Sequence, residues 1–290
     1  PGLRKLARAV HRFGSKIAAQ ISHGGSQSRQ SLTGVAPMAP SAVYNAYEGQ
    51  MPREMTVGEI QDVVEAYVQA ARRIREAGFD AVQVHGAHGV LLAQFLSPRT
   101  NLRTDHYGGS TQNRVRIVQE ILRRHREVNG DFPILIKMNC RDFVPGGLEA
   151  YEAVEIARIL SEGGMDAIEL SGGAAEVAAK EMARANVDSR EKEAYFLPYA
   201  GPIKEQIAIP LILVGGLKSP DVIERILEEG KVDLAAMCRP FIREPLLVKR
   251  WYEGDLRSAE CTSCNLCLKR FEEGVRCFQL EIEAQSARLS

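Results

Sequence analysis

The chain has 290 residues, 45% of them hydrophobic and 26% charged, and Lys plus Arg and Asp plus Glu each total 37. That balance excludes the strong field expected of a nucleic-acid or anionic-membrane binder, and the length is enough to bury a sizeable core. No apolar run approaches the roughly 20 residues that span a bilayer, so no membrane partner is expected and the expected compartment is the cytoplasm. No signal peptide is visible, but the chain opens on "PGLRKL" without Met, so its natural start is expected to lie upstream.

In chain order, a helix over residues 3–13 leads into a strand, "SKIAAQIS" (15–22). Helical periodicity over 56–77 begins at a capping box, Thr56 with Glu59, and gives way to a strand, "DAVQVH" (80–85). A helix over 113–128 precedes "PILIKMN" (133–139), and one over 149–162 precedes "DAIELS" (166–171). A helix over 195–207 leads to "PLILVGG" (210–216). Ser219-Pro220 then reads as cap and first turn of a helix over 220–229, followed by "DLAAMCR" (233–239) and a helix over 244–253. Gly78, Gly130, Gly163 and Gly230 mark helix ends.

Such alternation implies parallel strands joined by crossover helices. Two architectures fit the six strands: an open doubly wound sheet, or a (β/α)8 TIM barrel lacking its first two strand–helix units. In both, ligand chemistry gathers at the strand C-termini. The unusual residues fall there, in "QISHGG", "HGAHG", "KMNCRDF", "SGGAA", "VGG" and "CRPF". Residues 1–255 are expected to form this α/β domain and 256–290 a cysteine-containing extension.

"HGAHGVLLAQFLSP" (85–98) sets His85 and His88 three residues apart. On one continuous strand they would face opposite sides, but Gly86 and Gly89 end the strand and let both imidazoles converge above the sheet. The plain alternative is a turn cap and a packed ring. A metal would need a third ligand, so the better functional reading is two N–H donors to one oxygen. Lys137, inside the apolar "ILIKMN", is either half of a structural ion pair, with Glu169 as the candidate partner, or a cation facing a ligand that develops negative charge. Gly215-Gly216 before a helix N-terminus leaves backbone N–H groups for a phosphate. "MCRPF", one strand later, favours that over a bare turn. The segment 97–117 reads as a polar loop with a tight Gly108-Gly109 turn. The crowding of the cysteines in "CTSCNLCLKRFEEGVRC", Cys261, Cys264, Cys267 and Cys277, favours metal ligation or chance over disulfides.

Taken together, "QISHGG", "PREMTVGEI", "HGAHGVLLAQFLSPRTNLRTDHYGGSTQNR", "VGG" and "RPF" resemble, in order, the old yellow enzyme family of FMN-dependent ene-reductases. The nearest style is its NADH:flavin oxidoreductase and 2,4-dienoyl-CoA reductase branch. The resemblance implies the (β/α)8 barrel without its first two units, FMN as cofactor and NAD(P)H as co-substrate. It also implies a small-molecule enone as substrate, with homo-oligomerisation left open. It places Gln20 on the flavin pyrimidine, Lys137 near flavin N1 and O2, and Gly215, Gly216 and Arg239 on the phosphate. His85 and His88 become the clamp for the substrate oxygen. The tail resembles that branch's iron–sulfur segment, making the four cysteines candidate ligands of a [4Fe-4S] cluster, with zinc or free thiols as alternatives. Two positions depart from the pattern: Val90 replaces the usual proton-donating Tyr, and Cys238 the usual Gly before "RP".

Overall fold

The computed structural model describes residues 1–289. Six parallel strands form one sheet: β1 Ala18–Ile21, β2 Ala81–Gly86, β3 Ile134–Asn139, β4 Ala167–Ser171, β5 Leu211–Leu213 and β6 Leu234–Ala235. Each strand pairs with the one before it in the chain. A doubly wound sheet must reverse its strand order once. This sheet never does, so of the two architectures the singly wound arc of a (β/α)8 barrel is the one observed, with six strands in place and free edges at β1 and β6 among the described residues. A separate parallel ribbon, Met38–Ala39 with Arg53–Glu54, lies outside it.

The two faces of the arc differ as strand alternation requires. Val82, Val84, Ile134, Ile136, Ile168, Leu170, Leu211 and Leu213 point to the helices and are at most 1% exposed. The other face carries Gln83, His85, Leu135, Lys137, Glu169 and Ile212, all half-buried. A parallel sheet buried on both sides reads as a nearly continuous apolar run. The polar residues on the inner face therefore mark the ligand side. Strand register sets His85 beside Lys137 and Lys137 beside Glu169.

Helices cover the outer face. α1 is Gly2–His11, and α2, Val57–Glu76, starts at the expected capping box, where Thr56 Oγ1 accepts from Glu59 N at 3.2 Å and Glu59 Oε2 accepts from Thr56 N at 2.9 Å. Ile60, Val63, Val64, Tyr67, Val68, Ala71 and Ile74, spaced three and four apart on α2, form its buried stripe. α3 is Leu91–Leu96, α4 Arg116–Asn129, α5 Ala150–Glu162, α6 Leu197–Lys204 and α7 Pro220–Glu228. α8 Arg239–Arg243 and α9 Leu247–Tyr252 follow β6, and Phe278–Leu289 forms a last helix, α10.

Several sequence expectations shift. α3 is a helix that the periodicity does not reveal, because all six of its residues are buried and leave no polar face. β5 stops at Leu213 rather than 216, since Gly215 and Gly216 turn the chain away with φ of +135° and +74°. Ser219 stands at the N-cap of α7 without capping it: its hydroxyl donates to Glu193 Oε1 at 2.5 Å. α5 does end at Gly163, as expected, and the left-handed residue is the next one, Gly164, with φ +91°. The expected helix over 244–253 begins only at Leu247. The turn near Gly108 is as tight as expected, for a Cβ there would lie 2.1 Å from Arg103 O.

Candidate active site

The C-terminal end of β2 delivers the two histidines together. Gly86 closes the strand, and His88 takes the left-handed conformation, φ +61°, which costs a non-glycine residue about 1 kcal/mol. Three contacts hold it there: its N–H donates to Asn139 Oδ1 (3.2 Å), its carbonyl accepts from Gln27 Nε2 (2.8 Å), and its Nε2 lies 2.7 Å from Ser171 Oγ. Asn139 is oriented in turn by its amide donating to Asp142 Oδ1 at 2.8 Å. The His85 and His88 rings meet edge to face, with centroids 5.1 Å apart and planes at 88°.

Both imidazoles are kept neutral. Burial lowers His85 to about 4, with the Lys137 cation adding to the effect and Glu169 opposing it. Burial drives His88 well below its ordinary range, followed by Lys137 and His85. A neutral imidazole carries one N–H and one lone pair. In His85 the lone pair is on Nδ1, which accepts from Ala87 N at 3.3 Å, so the proton is on Nε2.

Lys137 makes the ion pair with Glu169, Nζ to Oε1 at 2.8 Å, and Gln83 Nε2 donates to the other carboxylate oxygen at 2.8 Å. Gln20 donates to Gln83 Oε1 at 2.7 Å, so a polar chain runs across β1, β2, β4 and β3. The pairing partner named from sequence is thus observed. It does not occupy the lysine, which has three N–H donors and spends one on Glu169. Lys137 also lines a cleft of about 240 Å³ shared with His88, Ser171, Gly216, Lys218 and Arg239.

At the far end of this cleft, Gly216 has φ +74°, and a Cβ on it would come within 2.9 Å of the Tyr195 ring. The position demands glycine and bares its backbone. Arg239, 9% exposed, begins α8, and its Nη1 donates to Arg184 O (2.8 Å) and Asn265 Oδ1 (2.6 Å). The glycine turn, the buried guanidinium and the nearby Lys218 form an electropositive pocket that fits a phosphate. Gln20 lies at the other extreme, on the exposed edge strand β1.

Four residues missed by sequence reading belong to this site: Ser171, Lys218, Tyr195 and Asn265. Ser171 closes "DAIELS" and opens "SGGAA", and Lys218 lies two residues after "VGG", so both could have been found there. Asn265 could not, because it lies in the tail. It is 5% exposed and left-handed (φ +61°), and its amide donates to Ala183 O at 2.6 Å while its oxygen holds Arg239. Ala259 N donating to Lys218 O (2.8 Å) and Ser258 Oγ against Ser219 Oγ (2.7 Å) fasten the same segment to the phosphate end.

Cys261, Cys264, Cys267 and Cys277 are all free thiols lining one pocket of about 20 Å³, room for one or two waters. Burial raises the Cys267 thiol, and Cys261 is next among the causes. Among the described residues no three His, Cys, Asp or Glu side chains are arranged about a single metal-ion position. Arg239 and Cys261 border both this pocket and the cleft. Cys140, by contrast, is buried and its thiol is pushed up to about 12 by burial, which makes it inert. No helix among the described residues is long and apolar enough to cross a membrane.

The model of the NADH:flavin oxidoreductase / NADH oxidase family matches residues 1–256. The NADH oxidase of Thermoanaerobacter brockii is 40% identical over 268 residues, covering 91% of this chain and 41% of that protein. Among solved structures, a 2-naphthoyl-CoA reductase complex superposes with a TM-score of 0.82 at 33% identity, over 91% of this chain and 42% of that one. An old yellow enzyme homologue from Zymomonas mobilis gives 0.72 at 26% identity, over 88% and 72%. The chain therefore spans about two fifths of the length of the first two relatives.

Proposed function

The chain belongs to the NADH:flavin oxidoreductase / NADH oxidase family, whose cofactor is FMN, and from that premise we propose that it reduces the activated C=C bond of an α,β-unsaturated carbonyl compound at the expense of NAD(P)H. The observation that carries this reading is the pair of neutral, half-buried imidazoles 5.1 Å apart, of which His88 lines a cleft that also holds a lysine and an arginine. When bound, FMN supplies hydride transfer. Everything else falls to the chain.

His85 and His88 donate hydrogen bonds to the carbonyl oxygen and draw charge toward it, which makes the β-carbon more electrophilic. Being neutral, they bind the oxygen without protonating it. Lys137, fixed by Glu169, offers its remaining N–H groups to the electron-rich edge of the flavin. Gln20 serves the pyrimidine ring, and Gly215, Gly216 and Arg239 the phosphate. The overall change takes one hydride to the β-carbon and one proton to the α-carbon, consuming one NAD(P)H and one solvent proton. Val90, at the start of α3, cannot give that proton, which leaves water or another residue as the donor.

A second reading, a flavin-linked electron-transfer protein, draws on Cys261 and Arg239. A cluster or zinc on the four cysteines would lie next to the cleft, across Arg239, Cys261 and Ser263. One experiment tests both. Protein reconstituted with FMN is bleached anaerobically with NAD(P)H and then mixed with cyclohex-2-enone or with ferricyanide. Reoxidation by the enone is expected; reoxidation by ferricyanide alone would replace the first reading with the second.

A further inference from the structure

We propose that Ser171 is a positioning residue that fixes His88 in the tautomer protonated on Nδ1, so that the clamp presents two donors rather than one. The inference deepens the oxygen-clamp reading and rests on it. The argument is an accounting of protons. Ser171 closes β4, directly opposite Asn139 of β3, and is 2% exposed. Among the described residues its hydroxyl has a single hydrogen-bond partner, His88 Nε2, at 2.7 Å.

Two arrangements satisfy that distance. If Ser171 donates, Nε2 carries the lone pair and the proton of a neutral His88 is on Nδ1. If Nε2 donates instead, the buried Ser171 hydrogen has no acceptor, a penalised state for a group removed from water. The first arrangement satisfies both the Ser171 hydroxyl and His88 Nε2 and leaves Nδ1–H free for a ligand. The backbone that carries the ring is itself fixed, because Asn139 and Gln27 hold His88 N and O. The chain Asp142–Asn139–His88–Ser171 thus ties the ends of β2, β3 and β4 into one support for a single imidazole.

The consequence is chemical. His85 already has its proton on Nε2, because Ala87 N–H occupies Nδ1. With Nδ1–H on His88, both rings can donate to one oxygen. With the opposite tautomer, His88 would turn a lone pair toward that oxygen and weaken the grip of its neighbour.

The test uses the FMN-loaded full chain labelled with ¹⁵N-histidine. Long-range ¹H–¹⁵N spectra report which ring nitrogen of His88 is protonated, independently of turnover. The wild type and Ser171→Thr, which keeps the hydroxyl, are expected to show protonated Nδ1. Ser171→Ala is expected to show a tautomer mixture, with kcat/KM for cyclohex-2-enone lower by about tenfold and restored in the threonine variant. A wild-type His88 protonated on Nε2, or a Ser171→Ala spectrum unchanged from it, would overturn the proposal. If the tautomer shifts as expected and the enone kinetics do not move in any variant, the Ser171 assignment stands and the clamp reading beneath it fails.

Discussion

The strand-end rim and the cysteine-bearing tail both border one cleft, yet they are held in different ways. At the rim, backbone pairing does the placing: His85, Lys137 and Glu169 are neighbours because β2, β3 and β4 are in register. At the tail, isolated bonds do it, most of them from side chains: Asn265 to Ala183 and Arg239, Ser258 to Ser219, Arg243 to Glu283 at 2.8 Å, and the backbone bond from Ala259 to Lys218. The difference teaches what each region can lose. A rim side chain can be exchanged with its backbone still in place, so the change falls on chemistry. A tail side chain carries much of the attachment, so its loss falls on the shape of the phosphate end and on cofactor retention.

The largest effect expected is at Val90. A positioned general acid contributes about 10²–10⁴-fold, so Val90→Tyr is expected to speed reoxidation of reduced flavin by an enone by about a hundredfold if the hydroxyl reaches the α-carbon. Stopped-flow absorbance reads that step, and NAD(P)H-driven bleaching in the same instrument should change little. An unchanged reoxidation rate would take Val90 out of the proton path. The rim pair Lys137–Glu169 comes next. Removing one partner of a buried pair strands the other charge, at a cost of about 3 kcal/mol for groups this well covered. Urea unfolding should show Lys137→Met clearly less stable than the double variant Lys137→Met/Glu169→Gln, in which no charge is stranded. Equal stabilities would mean the pair is solvated.

His88→Ala and Asn265→Ala then separate the two regions directly. A hydrogen bond to developing charge is worth roughly 1.5–3 kcal/mol, so His88→Ala should slow the enone step about tenfold to a hundredfold with FMN affinity unchanged. Asn265→Ala should do the converse, weakening FMN binding about tenfold through Arg239 while each bound flavin turns over normally. Fluorescence titration of FMN and single-turnover kinetics give both numbers. The contrast collapses if both variants move the same quantity.

How much of this was legible in the sequence follows the same division. Strand–helix alternation fixed all six strands to within a few residues, because period-two and period-3.6 apolar patterns are local. It could not choose between sheet and barrel, since strand order is a property of pairing between distant segments. The His85–His88 pair was visible because four residues, "HGAH", carry it. The Lys137–Glu169 contact was legible as a buried lysine in search of a partner on a neighbouring strand. Ser171 and Asn265 stayed hidden for a physical reason. Serine and asparagine are common at strand ends and turns, and here their meaning lies in partners 83 residues (His88) and 26 residues (Arg239) away. The cysteines were the opposite case: a loud local pattern in which Cys261 reaches the cleft itself and the quieter neighbour Asn265 holds its arginine.

The smallest effect expected concerns pH, and it too divides the regions. Burial lowers His23, His85, His88 and His125 in the folded chain, and all four lie outside the tail. A histidine whose folded pKa is below its unfolded value of about 6.5 takes up its proton first in the unfolded state. Unfolding is then linked to proton uptake, so stability is full above pH 6.5 and falls as pH drops toward the folded value, about 4 for His85. The carboxylates held low, Glu59 at about 2 among them, act only below the usual carboxylate range, whereas burial raises Asp142, which opposes the histidine trend in the window from pH 7 to 5. In that window His85 contributes less than about 1 kcal/mol per pH unit once its partial exposure is allowed for. Urea midpoints measured from pH 7 to 5 should therefore decline, and decline less in His85→Gln. Amide exchange in residues 258–267, corrected for its intrinsic pH dependence, should show no matching trend, because no histidine lies in that segment. A parallel trend there would mean that tail and rim open as one unit, and that the separate ways of holding them do not make them separately stable.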